Sequence, residues 1–380
     1  MTSVERHEAR YQRRVATRIA KKAEACKEYD DYSAVFTYGH LYDSYKQCRK
    51  GVGWKASTQK YRASAAMNVY KTYAELKNGS FKSDGFFCFD IFERGKLRHI
   101  RSVSLRERVV QRCLCDYSLV PLMARTFIYD NGASMKCKGY DFSQRRCIRH
   151  LQYHYRKHGT DGYVLVFDFS KFFDNVSHAE IERKLRKAYT DEQLHELCRY
   201  FVGAFGDTGL GLGSQISQVL ALASADRLDH FIKEELRVKC YGRYMDDGYL
   251  IHKDKAYLQY CLTRIREKCA ELGIKLNEKK THIIKLTHGF TFLKVRMFLT
   301  QTGKIVKKAY KTSVTRMRRK LKKFHAKVGA GVMTVKDVYQ SFQSWRSHGA
   351  RLNSYHAIAN MERLYEKLYV FDRKEACYVL

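Results

Sequence analysis

Residues 241–252 read Tyr-Gly-Arg-Tyr-Met-Asp-Asp-Gly-Tyr-Leu-Ile-His, and place two acids, Asp246 and Asp247, side by side. Strand-forming residues flank the pair, and Asp247-Gly248 is a strong tight-turn signal, so the string reads as a β-hairpin with carboxylates at its tip. Two adjacent charges repel and gain nothing from packing. They suit Mg2+, which takes carboxylate oxygens together with nucleotide phosphates. A third acid, Asp168, ends the apolar run Val164-Leu165-Val166-Phe167. Adding a nucleotide needs an activated hydroxyl, an α-phosphate held in line and a stabilised leaving group. Two metal ions on carboxylates from separate strands can meet all three needs.

The elements that must position these acids follow from local pattern. A short continuous apolar run such as 164–167 reads as a buried central strand. Helices are expected over 178–188, 216–236 and 255–272, on either side of the acid hairpin. Ile274-Lys275-Leu276 and Ile283-Ile284 read as strands around a turn at Asn277, and 290–298 as a further hairpin. Upstream, 86–100 reads as a hairpin turning around Gly95. Ser104 is placed to cap a helix over 105–120, with Glu107 at the capping-box position. Helices are also expected over 3–28 and 56–78. In a helix over 313–328, Val314, Met317, Leu321, Phe324 and Val328 form one apolar stripe, while Arg316, Arg318, Arg319, Lys320, Lys322, Lys323 and Lys327 cover the rest.

The 380 residues carry 72 Lys+Arg against 39 Asp+Glu, a formal charge of +33. That excess points to a polyanionic partner, nucleic acid above all. For 3–28 and 313–328 the alternative is a merely solvated basic face. No run of 18 apolar residues and no apolar signal core is present, so no membrane role is expected. The twelve cysteines form no C-x-x-C pair, which argues against structural zinc and for a reducing, cytoplasmic setting; Cys113 and Cys115 are expected as buried thiols. One proline, no Gly/Ser linker and no repeat imply continuous subdomains rather than tethered beads.

Asp168-Phe-Ser-Lys-Phe-Phe173 followed by Tyr244-Met-Asp-Asp247 resembles the first and second catalytic motifs of reverse transcriptases, and the likeness runs over nearly all of 85–350. The resemblance implies an α/β right-hand polymerase. Its palm is a sheet of three or four antiparallel strands (161–300), with fingers before it (51–160), a helical thumb after it (301–380) and a basic extension at 1–50. It implies that Asp168 and Asp246 bind two Mg2+ (Mn2+ as the alternative), with Asp247 supporting them. Phe173 would be the steric gate against a ribose 2′-hydroxyl. Lys96-Leu-Arg98 resembles the motif that grips the triphosphate; Arg98 is favoured because guanidinium binds phosphate bidentately. Asn277-Glu-Lys-Lys280-Thr281 resembles the motif that sets a lysine, here Lys280, near the pyrophosphate. Phe292-Leu293 resembles the primer grip. Tyr244 and Met245, with Arg316, Arg319, Lys320 and Lys323 of the thumb, would contact nucleic acid. The implied partners are an RNA template, its cDNA product and dNTP substrates.

Gly211-Leu-Gly-Ser-Gln-Ile-Ser-Gln218 departs from the pattern Gln-Gly-x-x-x-Ser-Pro of most members: Leu212 replaces the glutamine and Gln218 the proline. This departure, Arg108-Val-Val-Gln-Arg-Cys113 and 344–350 resemble the enzymes of diversity-generating retroelements, relatives of group II intron enzymes. Those intron enzymes normally carry a further maturase domain, for which this chain is too short. The likeness implies a template RNA and a small accessory protein from the same element in a bacterial or phage setting, with Leu212, Gly213 and Gln218 lining the nucleotide pocket. An apolar Leu212 cannot offer glutamine's hydrogen bond, so copying should be error-prone, chiefly opposite adenines. Retroelement enzymes usually have a proline where Gly211 stands. Three alternatives are an antiphage defence reverse transcriptase, a noncatalytic RNA-binding protein on the same scaffold, and an RNA polymerase, against which Phe173 argues.

Overall fold

The structure, a computed structural model, describes residues 2–93 and 96–370. The turn expected around Gly95 lies outside them, as do the side chains of Arg18, Lys22 and Lys96. The chain divides into two interleaved units: Met1–Gly139 with Phe169–Glu235 and Ile265–Leu276, and Tyr140–Asp168 with Leu236–Arg264 and Asn277–Leu380.

The first unit is helical apart from one long hairpin, β1 (Phe86–Glu93) with β2 (Lys96–Val103), in register from Phe86↔Val103 to Glu93↔Lys96. Ser104 caps the helix Leu105–Leu114 by accepting from Glu107 N at 3.1 Å. The Glu107 carboxylate does not complete a capping box. It points inward and accepts from Gln111 Nε2 at 3.0 Å and from the Ser83 hydroxyl. The helix then widens into a π turn, Cys115–Leu119, and closes with Val120–Ala124. Cys113 and Cys115 are fully buried, and burial pushes both thiols up. The helix expected over 56–78 is two, Ala56–Ala63 and Ala65–Lys77, broken where Ser64 leaves helical geometry (φ −132°, ψ 43°).

The second unit is built on a four-stranded antiparallel sheet of β3 (Tyr163–Asp168), β4 (Tyr241–Tyr244), β5 (Asp247–His252) and β6 (His282–Lys285), in the order β4-β5-β3-β6. β3 is central, as its unbroken apolar run requires: both faces are covered. The helix Tyr140–His158 packs on β4 and β5. A second sheet, β7 (Phe290–Phe292), β8 (Val295–Leu299) and β9 (Ile305–Ala309), shares one core with the first, including Val164, Tyr249, Phe292, Val295 and Met297. Three helices follow, Lys311–Gly329, Val335–Ala350 and Tyr355–Tyr369, around Met317, Leu321, Val338, Phe342 and Met361. The mixed α/β class with an antiparallel sheet is the one the sequence led us to expect. Residues 274–276 are not the strand expected there: pairing shrinks to one bridge, Phe169↔Leu276.

Candidate active site

Asp168 is the last residue of β3 and lies directly across from Asp247, the first residue of β5. Tyr244 pairs with Asp247, so the hairpin turns on two residues, Met245 and Asp246. The turn thus falls two positions before the expected Asp247-Gly248. Gly248 is a strand residue paired with Phe167, and a Cβ there would strike the Phe167 ring. The left-handed position a tight hairpin needs is taken by Met245 (φ 53°), at a cost of about 1–2 kcal/mol for a non-glycine residue.

Asp168 is buried, and each of its oxygens is engaged. Oδ2 accepts from Lys280 Nζ at 2.6 Å and Oδ1 from Asn277 Nδ2 at 3.3 Å, while its backbone carbonyl accepts from Asn277 N at 2.8 Å. Both partners sit at the turn that leads into β6. Burial, then the charge of Asp168, pushes the Asp246 carboxyl up. Burial, then the charges of Asp246 and Asp168, pushes Asp247 up to about 7. Burial works against the Lys280 charge, but the ion pair with Asp168 outweighs it and the amine is raised. Under the turn lies a cation that the sequence reading passed over: Arg243, with no exposed surface, donates from its guanidinium to the Met245 carbonyl at 2.8 Å. A charged residue inside a strand of otherwise buried type, next to two acids, was the available signal.

The three carboxylates fit a divalent cation. They are hard oxygen donors, and burial, then the charges of the neighbouring acids, raises both Asp246 and Asp247. Among the described residues no three acid, histidine or cysteine side chains are grouped so as to hold a metal ion; the Asp168 carboxylate is bonded to Lys280 and Asn277.

The first unit holds a second group of candidates. Arg98 sits in β2 across from Ile91, and Lys96 pairs with Glu93 at the end of the hairpin. The Leu212 carbonyl accepts from Arg101 N at 3.4 Å. Gly213 (φ 112°) lies so close to β2 that a Cβ would come within 3.3 Å of the Arg101 carbonyl. Phe173 is half-buried, packed edge-on against Phe172, and its carbonyl accepts from Leu210 N at 2.7 Å. Gln218 is exposed and accepts from the Ser134 hydroxyl at 3.2 Å.

In the second unit Tyr244 and Met245 flank the acids and are half-buried. Phe292 and Leu293 have buried side chains, with the Phe292 ring T-shaped against Tyr249 at 4.8 Å. They anchor the β7–β8 turn, whose two residues, Leu293 and Lys294, are left-handed (φ 50° and 62°). Arg316, Arg319, Lys320 and Lys323 are exposed along the helix Lys311–Gly329, opposite its buried Met317 and Leu321.

Acids gathered at the end of an antiparallel sheet define a polymerase palm. Residues 93–297, more than half of the chain, match the family described as reverse transcriptase (RNA-dependent DNA polymerase). The chain belongs to that family. No curated protein sequence matches it. Among solved structures it is similar to apo telomerase from Candida tropicalis truncated from the C-terminal domain (14% identity, 64% of this chain and 60% of that one, TM-score 0.46). It is also similar to Candida albicans telomerase with a fragment of telomeric RNA (12%, 74% and 55%, TM-score 0.45). The chain thus spans less than two thirds of either structure. No helix among the described residues is long and apolar enough to cross a membrane.

Proposed function

We propose that the chain copies an RNA template into cDNA by nucleotidyl transfer at Asp168, Asp246 and Asp247. The observation that carries this is the direct pairing of Asp168 with Asp247, with Asp246 in the adjoining two-residue turn. Two Mg2+ ions, or Mn2+, held by these acids would supply Lewis-acid activation of the primer 3′-hydroxyl and of the leaving pyrophosphate. The side chains do the rest. Lys280, whose side chain is 54% exposed, leaves Asp168 and takes the triphosphate. Lys96 and Arg98 grip the same phosphates, and Phe173 screens the sugar. In this reading the thumb, 301–380, lays Arg316, Arg319, Lys320 and Lys323 along the duplex backbone, 51–160 is the fingers with part of the palm, 161–300 the palm and 1–50 the basic extension.

The test is Asp246→Ala. Losing one acid should cost several kcal/mol of transition-state stabilisation, about a thousandfold in dNTP incorporation on an RNA template, with RNA binding intact. Undiminished incorporation would refute the enzymatic reading. Loss of incorporation with RNA binding kept would exclude the noncatalytic RNA-binding alternative.

Within the family, the reading is an error-prone enzyme of a diversity-generating retroelement, in a bacterial or phage cytoplasm, working with a small accessory protein on the element's own structured RNA. Leu212 supports it, set by its backbone against β2 with an apolar side chain where a hydrogen bond would discriminate. Leu212→Gln should lower misincorporation opposite adenine about tenfold, read by sequencing the cDNA. A second reading, an antiphage defence enzyme of the same chemistry, is favoured by Gly211. A Cβ at that position would strike the Phe205 ring, so the proline of the retroelement pattern has no room.

A further inference from the structure

We infer that Arg243 is the positioning residue of the acid turn, holding the Met245–Asp246 peptide so that Asp246 stays beside Asp168 and Asp247. The inference rests on the proposed function. Arg243 is the third of four residues in β4, and it is the largest fully buried side chain of the described residues. A guanidinium inside a sheet is costly for folding alone; an apolar residue of similar volume would usually serve stability as well or better. Its position gives it another use. Arg243, Gly248 and Phe167 are successive members of one cross-strand row through β4, β5 and β3, so their Cβ directions share a face. Gly248 supplies no side chain, and the Phe167 ring fills that space.

Two residues after Arg243 the backbone turns left-handed at Met245, a conformation a methionine does not hold unaided. The guanidinium donates to the carbonyl of that residue, which fixes the peptide leading into Asp246. Two cations of different kinds thus serve the acids: Lys280 pairs with Asp168, and Arg243 holds the Met245 carbonyl. Lys280 is at the surface and can leave, whereas Arg243 is buried and stays. Only the guanidinium fork offers several donors in fixed directions; a lysine keeps the charge without the fork.

The experiment compares Arg243→Met and Arg243→Lys in the full chain. It measures thermal unfolding, Mn2+ binding by electron paramagnetic resonance without nucleotide, and kcat and KM for dNTP. In Arg243→Met that is still folded, kcat should fall about a hundredfold, the usual consequence of a misplacement near 1 Å, with KM little changed. Mn2+ affinity should weaken about tenfold, as when an outer-shell partner of a metal ligand is removed. Arg243→Lys should recover part of both. A purely structural role would lower the melting temperature and leave Mn2+ affinity unmoved. Folded Arg243→Met with wild-type kcat and Mn2+ affinity overturns the inference. If Arg243→Met does not fold, wild-type values in Arg243→Lys overturn it instead. Asp246→Ala separates the two claims: if it is inactive while Arg243→Met is fully active, only this inference fails.

Discussion

β1–β2 and β4–β5 are both two-stranded antiparallel hairpins rich in aromatic residues, and they are held in opposite ways. β4–β5 is continued by β3 and β6 and covered by the helix Tyr140–His158; Tyr241, Arg243, Tyr249 and Leu250 are all inside. β1–β2 forms a two-stranded sheet, with Phe92 76% and Leu97 56% exposed near the end at which its strands are joined. A charge cluster needs the first arrangement. Carboxylates that repel stay together only where the fold has fixed their backbone beforehand. β1–β2 is held at its base, by Arg101 N on the Leu212 carbonyl and by Phe86 stacked on Phe205, and among the described residues its far half has no covering strand or helix. In the proposed function one hairpin holds the ions and the other meets the substrate.

The largest expected effect probes the rigid side. The Phe167 ring is 2% exposed, lies over Gly248 and stacks on Tyr241 at 6.4 Å between centroids. Phe167→Ala should destabilise the chain by about 3–5 kcal/mol in urea unfolding, the cost of emptying a core aromatic site. It should also cut incorporation, because the cavity opens between the two acid-bearing strands. A cost under about 1 kcal/mol would mean the acid hairpin is no more fixed than the free one.

The acids offer a second, electrostatic probe. With no metal present, the Asp247 carboxyl stands at about 7 against an ordinary value near 3.8. A carboxyl raised on folding contributes stability that is complete below the unfolded value and is lost as pH rises through the folded one. Between about pH 4 and pH 7 the wild type should therefore lose stability, up to about 4 kcal/mol. Asp247→Asn should escape this loss, melting higher than wild type at pH 7.5 in chelator and equal to it below about pH 4. Mg2+ should narrow the gap by favouring the ionised wild-type acid. Parallel melting curves across the range would show that Asp247 is not crowded by its neighbours.

Much of this frame was legible along the chain. The run 164–167 could only be a central strand, and it ends at Asp168 as the structure shows. The stripe Val314, Met317, Leu321, Phe324, Val328 packs as one face. What failed did so for a physical reason. Asp247-Gly248 looked like the turn because glycine there suits positive φ; this glycine instead makes room for Phe167, a residue 81 positions earlier whose approach no local pattern reveals. Arg243 was passed over because alternation assigns a charged residue to solvent, and only the paired strands show it enclosed. The interleaving of the two units was hidden as well, since the chain changes unit without any linker composition.

The smallest effect tests the free side. Phe92 and Leu97 face each other across β1 and β2, the last pair but one before the end at which the strands are joined. Large apolar side chains so exposed contribute little to folding, because water reaches them in both states. Phe92→Ser with Leu97→Ser should change unfolding free energy by no more than about 0.5 kcal/mol, the usual range for surface sites. If the hairpin meets substrate, the same pair should raise KM for dNTP or template while leaving stability alone, and steady-state kinetics beside a urea curve would read both. A stability loss comparable to that of Phe167→Ala would show that the two hairpins are held alike. Unchanged stability with unchanged KM would leave the apolar tip outside the substrate path and confine the grip to Arg98 and its neighbours on β2.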